Sequence, residues 1–132
     1  MSERATPAVL TIFQEESADR LVSIEAGLLA LEDDARFATD ELVHAIFRDA
    51  HSIKAGANLL GLASIELLAH RLENILDLVR TGKLAPDGPS ITAMLSALDA
   101  MALLVEDIEN SASRDISTEL AALDRVAGRA AG

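Results

Sequence analysis

Three histidines, His44, His51 and His70, are the only imidazoles in a 132-residue chain that has no cysteine. A neutral imidazole keeps one unprotonated nitrogen near pH 7, so a presented histidine can act as a nucleophile or a metal ligand. Setting His51 at 0° and advancing about 100° per residue puts Leu42, Ile46, Ile53, Ala57 and Leu60 between about 180° and 240°. His51 therefore faces away from the apolar stripe. Its own face carries His44, Phe47, Arg48, Lys54, Ala55 and Asn58.

A second set of chemical groups, Glu66, His70, Glu73 and Asp77, recurs at steps of four, three and four residues. That is one polar stripe of a helix, opposite Leu68, Leu72, Ile75 and Val79. If its edge reaches His51, a carboxylate bonded to one ring nitrogen would fix the tautomer and leave the other nitrogen nucleophilic. Three readings stay open on spacing alone. The stripes can be solvated faces of a helical adaptor laced with weak ion pairs. They can also be a metal site formed by His51, His70 and Glu73. Bundle metal sites of the ferritin type use paired Glu-x-x-His runs, whereas here the order is His70-x-x-Glu73 with no second copy. The third is nucleophilic group transfer.

The elements that must position these groups are helical. Ala and Leu supply 24 and 21 residues and aromatics are limited to Phe13, Phe37 and Phe47, which excludes a mostly β fold. Periodicity predicts helices over about 11–33, 40–60, 63–80, 91–110 and 117–126. The starts fall at Thr11 or an earlier residue, at Thr39 or Asp40 and at Ser90, the stops at Gly61 and at Thr81-Gly82, with a loop at Pro86 to Ser90. Residues 1–7 read as a flexible N-terminus and 127–132 as a frayed tail. The expected fold is all-α, an antiparallel four-helix bundle with a short fifth C-terminal helix, spanning 8–126 as one domain.

Other function classes recede. Without Cys there is no disulfide framework, zinc–thiolate site or cysteine nucleophile. A net charge of −11 disfavours nucleic acid and anionic lipid. No basic segment followed by an apolar run opens the chain, and the apolar run Ala100 to Val105 is far short of the ~20 residues of a membrane span. A cytoplasmic protein with no membrane, metal or cofactor requirement is expected. No Gly-rich nucleotide loop is present, so the chain is expected to lack ATP-binding machinery and not to be an enzyme by itself.

The run from Ala45 through His51-Ser-Ile-Lys54-Ala-Gly56 to Gly61 resembles the signature of histidine phosphotransfer (HPt) domains, in particular those of CheA-type chemotaxis kinases. His70-Arg-Leu-Glu73-Asn-Ile-Leu-Asp77 is similar to that family's third helix, and Phe13 to Leu21 to its first. The resemblance implies a phosphoryl relay. His51 would accept the γ-phosphoryl of ATP from a CheA-type kinase catalytic domain and pass it to an aspartate of a CheY-like response regulator. It also implies that Lys54 lies near the phosphoryl group, that Glu73 bonds the imidazole and that His70 has a lesser role. His44, Phe47, Arg48, Ala55, Gly56 and Asn58 would form the surface that partners approach. One departure is Lys54-Ala55-Gly56 where the family usually has Lys-Gly-Gly or Lys-Gly-Ser, so the Ala55 methyl narrows the approach to His51.

Overall fold

The computed structural model describes residues 6–34 and 39–131. Among them are α1 (Pro7–Asp33), α2 (Asp40–Leu60), α3 (Ala63–Arg80), α4 (Gly88–Glu106) and α5 (Ser117–Ala131), with a 3₁₀ segment at Ile108–Ser113. Short connections make consecutive helices of α1–α4 antiparallel. In this bundle α1 packs on α2 and α4, while α3 packs on α2 and α4; α5 covers α3 and α4. Large aliphatics such as Ile24, Leu28, Ile53, Leu68, Leu72, Ile75 and Met94 fill the centre with essentially no exposure.

Local signals explain most boundaries. Thr39 caps α2, its hydroxyl accepting from the Leu42 N–H at 3.2 Å, and Asp40 and Glu41 sit in the positive first turn. Gly61 ends α2 at φ 73°, a left-handed conformation open to a residue without a Cβ. The two-residue link to α3 that results holds the α2 and α3 faces side by side.

Four expected boundaries need correction. Thr6 caps α1 and Pro7 opens it, so the earlier start holds and the expected flexible stretch 1–7 does not extend through residues 6 and 7; residues 1–5 lie outside the described residues. α4 starts at Gly88, capped by Asp87 and not by Ser90, because Asp87 Oδ1 accepts from the Ser90 N–H at 3.0 Å and Pro89 fits the first turn. α4 also stops at Glu106, after which Ile108–Ser113 tighten into a 3₁₀ segment that buries Ile108 and Ser111. The tail is not frayed through residue 131. α5 continues to Ala131, buries Val126 and ties Arg129 to Asp87 at 2.6 Å; Gly132 lies outside the described residues.

α4 is long and apolar enough to cross a membrane by length and composition, with a mean hydropathy of 1.5. Its apolar residues are instead spent on the bundle, where Ile91, Met94, Ala97, Met101 and Leu104 are buried against neighbouring helices.

Candidate functional site

The α2–α3 groove brings His51, Lys54 and Glu73 together. His51 is exposed, with 57% of its side-chain surface open to solvent, whereas Glu73 is buried at the edge of the core. Glu73 Oε2 lies 2.7 Å from His51 Nδ1, and Glu73 Oε1 accepts from Lys54 Nζ at 2.8 Å. One carboxylate thus serves two cationic or polar partners through its two oxygens.

The charge state of Glu73 decides the tautomer. Burial pushes its carboxyl up, but hydrogen bonds from Lys54 and His51 outweigh this and hold it below the usual carboxylate range. An ionised carboxylate only accepts, so His51 Nδ1 must carry the proton. Nε2 is left with its lone pair on the solvent side. A neutral imidazole with Nε2 outward is a competent nucleophile toward an electrophilic phosphorus.

Around this centre the expected residues divide. Lys54 is in the site, but bonded to Glu73 rather than standing free, a pairing that spacing within α2 could not reveal. His44 and Phe47 flank His51 along α2, with ring centroids 6.3 Å apart for His44–Phe47 and 6.4 Å for Phe47–His51. Arg48, Ala55 and Asn58 are exposed near it. His70 is exposed on α3, lining with Lys54, Ala55 and Asn58 a shallow concavity of about 590 Å³.

Gly56 serves packing as well. A Cβ there would lie 3.0 Å from the Phe13 ring, so the glycine lets α1 close against α2. The alternative of a metal site finds no support in geometry: among the described residues no group of three or more His, Cys, Asp or Glu could hold a metal ion. Arg80, at the end of α3, was not a sequence candidate, yet its guanidinium lies 5.4 Å from the Phe47 ring centroid. The signal available was a basic residue in the last helical turn, which is common on structural grounds alone.

A bundle that presents one imidazole nitrogen to solvent and clamps the other on a buried carboxylate defines a histidine-based group carrier. The Hpt domain family matches residues 8–127, and the chain belongs to it. It is 37% identical to the chemotaxis protein CheA of Rhizobium meliloti (strain 1021), over 85% of this chain and 15% of that protein. It is 36% identical to CheA of Bacillus subtilis (strain 168), over 87% and 17%. The gliding motility regulatory protein of Myxococcus xanthus is 34% identical over 89% and 15%. The chain therefore spans roughly one-sixth of the length of these relatives. A crystal structure of the phosphorylated P1 domain of CheA3 in complex with CheY6 from R. sphaeroides superposes with a TM-score of 0.74. That likeness has 29% identity and covers 96% of this chain and 98% of that one. The all-helical Hpt fold is thus that of a CheA P1 phosphotransfer domain.

Proposed function

We propose that His51 is the phosphoryl acceptor and donor of a chemotaxis-type relay. It takes the γ-phosphoryl group of ATP from the catalytic domain of a CheA-type kinase and delivers it to a CheY-like response regulator. The single observation that carries this is the Glu73 Oε2–His51 Nδ1 contact of 2.7 Å beneath an exposed ring. The likeness to a P1 domain solved phosphorylated and with CheY6 supports both the chemistry and the class of recipient.

In the first step the Nε2 lone pair forms an N–P bond while the bond from phosphorus to the ADP oxygen breaks. The ring retains its Nδ1 proton and gains positive charge, which the Glu73 carboxylate opposes at hydrogen-bond distance. In the second step a regulator carboxylate oxygen attacks phosphorus, the N–P bond breaks and the electron pair returns to Nε2. Positioning and charge stabilisation are the main demands of such transfers. Lys54, tied to Glu73, balances charge at the same point in a protein of net charge −11.

On this reading the chain is substrate and carrier, the nucleotide site belongs to the kinase catalytic domain, and the setting is cytoplasmic. Arg48, Ala55, Asn58 and His70 form the approach surface. The test is labelling with ATP and a CheA-type catalytic fragment. Wild-type protein should acquire acid-labile, base-stable phosphate and His51→Gln none, with unchanged helical circular dichroism. Label persisting on His51→Gln would move the acceptor to another residue and defeat the proposal.

A further inference from the structure

The Glu73 bond fixes one atom of the His51 ring, and a ring held at one atom can still tilt about it. A second restraint runs along α2. His44, Phe47 and His51 form a column of near-parallel rings, with planes 13° apart for His44–Phe47 and 14° for Phe47–His51. Their centroid separations fall within the range of aromatic contacts. Phe47 is half-buried and packs on the core, so it is the fixed member of the column. Arg80 then reaches from the last turn of α3 over the Phe47 ring, and is itself bonded to Asp77.

We propose that Phe47 is a positioning residue that sets the plane of the His51 imidazole, and that Arg80 secures Phe47 from α3. This deepens the phosphoryl-carrier reading and rests on it. The two restraints do different things. Glu73 selects the tautomer, while Phe47 limits the tilt that would swing the Nε2 lone pair off the line of attack. α3 therefore acts on the nucleophile twice, directly through Glu73 and indirectly through Arg80 and Phe47. Because the Nε2 lone pair lies in the ring plane, a tilt of the ring lowers the fraction of bound encounters that react without weakening the encounter itself. A residue that merely touched the partner would do the reverse.

The experiment varies the concentration of this chain with a CheA-type catalytic fragment and ATP, His51→Gln serving as the blank. Phe47→Leu should lower kcat for labelling about tenfold with KM within about twofold, since alignment and not binding is lost. Phe47→Tyr keeps the ring and should keep kcat within about twofold, while Arg80→Gln should lose about threefold. Nitrogen-15 spectra of the His51 ring give a readout independent of the kinase: Phe47→Leu should retain the Nδ1–H tautomer but broaden the ring lines. Wild-type kcat in Phe47→Leu, or a change confined to KM, overturns the proposal. Should Phe47→Leu fail to fold, the exposed Arg80 decides, and unchanged kcat and ring spectra in Arg80→Gln overturn it equally. Absence of label on the wild type would instead sink the carrier reading, with the ring spectra still reporting on the column.

Discussion

Glu73 and His51 meet at 2.7 Å across the α2–α3 groove with opposite exposures, the carboxylate buried and the imidazole open to solvent. The carboxylate is anchored where water competes little for it, and the ring it holds is left open to solvent. Lys54 completes the arrangement by occupying the other Glu73 oxygen.

Replacing Glu73 with Gln should slow labelling of His51 by about 10- to 10⁴-fold, the range spanned by groups that orient or move protons. Lys54 is only a donor and requires the amide oxygen, which turns the amide NH₂ toward His51 Nδ1. Nδ1 then accepts, and the proton moves to Nε2, the nucleophilic position. Nitrogen-15 spectra should show the Nε2–H tautomer in Glu73→Gln. They should also show a return toward Nδ1–H in Glu73→Gln combined with Lys54→Met, which frees the amide to flip. An unchanged tautomer in both variants would contradict the clamp.

Glu73→Ala should label at least as slowly as Glu73→Gln and destabilise the fold by about 1 kcal/mol. Loss of a buried partner costs roughly 1–3 kcal/mol, and the lower end applies because the Lys54 stem lets its ammonium reach water. Denaturant midpoints for wild type and variant measure this directly.

Much of this was legible in the residues. The period of Leu and Ile gave four bundle helices, Gly61 gave the α2 stop, and the angular position of His51 gave its exposure. The polar stripe of α3 was only half understood. Glu66, His70, Glu73 and Asp77 look equivalent by spacing, yet Glu73 is buried and His70 exposed, because α2 covers one edge of the stripe and helical periodicity does not say which. The same gap hid the Lys54–Glu73 and Arg80–Phe47 contacts, which join residues of different helices. At α4, Asp87 and Ser90 are both good caps, and the choice fell to Asp87 because it bonds Ser90 and Arg129 at once.

Asp87 makes a pH prediction. Hydrogen bonds from Arg129 and from Ser90 lower its carboxyl from 3.8 to about 2. A group lowered on folding contributes stability that is present above its unfolded value and lost as pH falls through its folded one. Asp87→Asn keeps the cap through its amide oxygen but sets a donor-only NH₂ against Arg129, so the ion pair and its hydrogen bond are both lost. It should therefore be less stable than wild type at pH 7, by under about 1 kcal/mol for so exposed a pair. The difference should close between pH 3.8 and about pH 2. Urea unfolding at several pH values checks it, and a constant difference would contradict the assignment.

Two glycines in helices should respond oppositely to Ala. At Gly27 a Cβ would lie 2.6 Å from Ile46 Cγ2, a buried side chain, so Gly27→Ala should destabilise by about 1–3 kcal/mol. At Gly128 nothing lies within 4 Å, so Gly128→Ala should stabilise α5 by up to about 1 kcal/mol. Thermal midpoints of the two variants, measured side by side, test the α1–α2 packing that holds His51's helix in place.

Ala55 is exposed on the approach side of Lys54. Ala55→Gly should speed transfer to response regulators by removing a methyl beside the nucleophile, at a cost of about 0.5–1 kcal/mol in helix stability. Identical transfer rates across every regulator tested would remove Ala55 from the approach surface.

In the proposed relay Nε2 of His51, exposed while Glu73 holds Nδ1, carries the phosphoryl group. Phosphorus–nitrogen correlation spectra of the protein labelled by ATP and a CheA-type catalytic fragment test it most directly. The expected result is a single phosphoramidate, bonded to Nε2 of His51, with Nδ1 facing Glu73. Phosphate on Nδ1, on His44 or His70, or on an oxygen would contradict it.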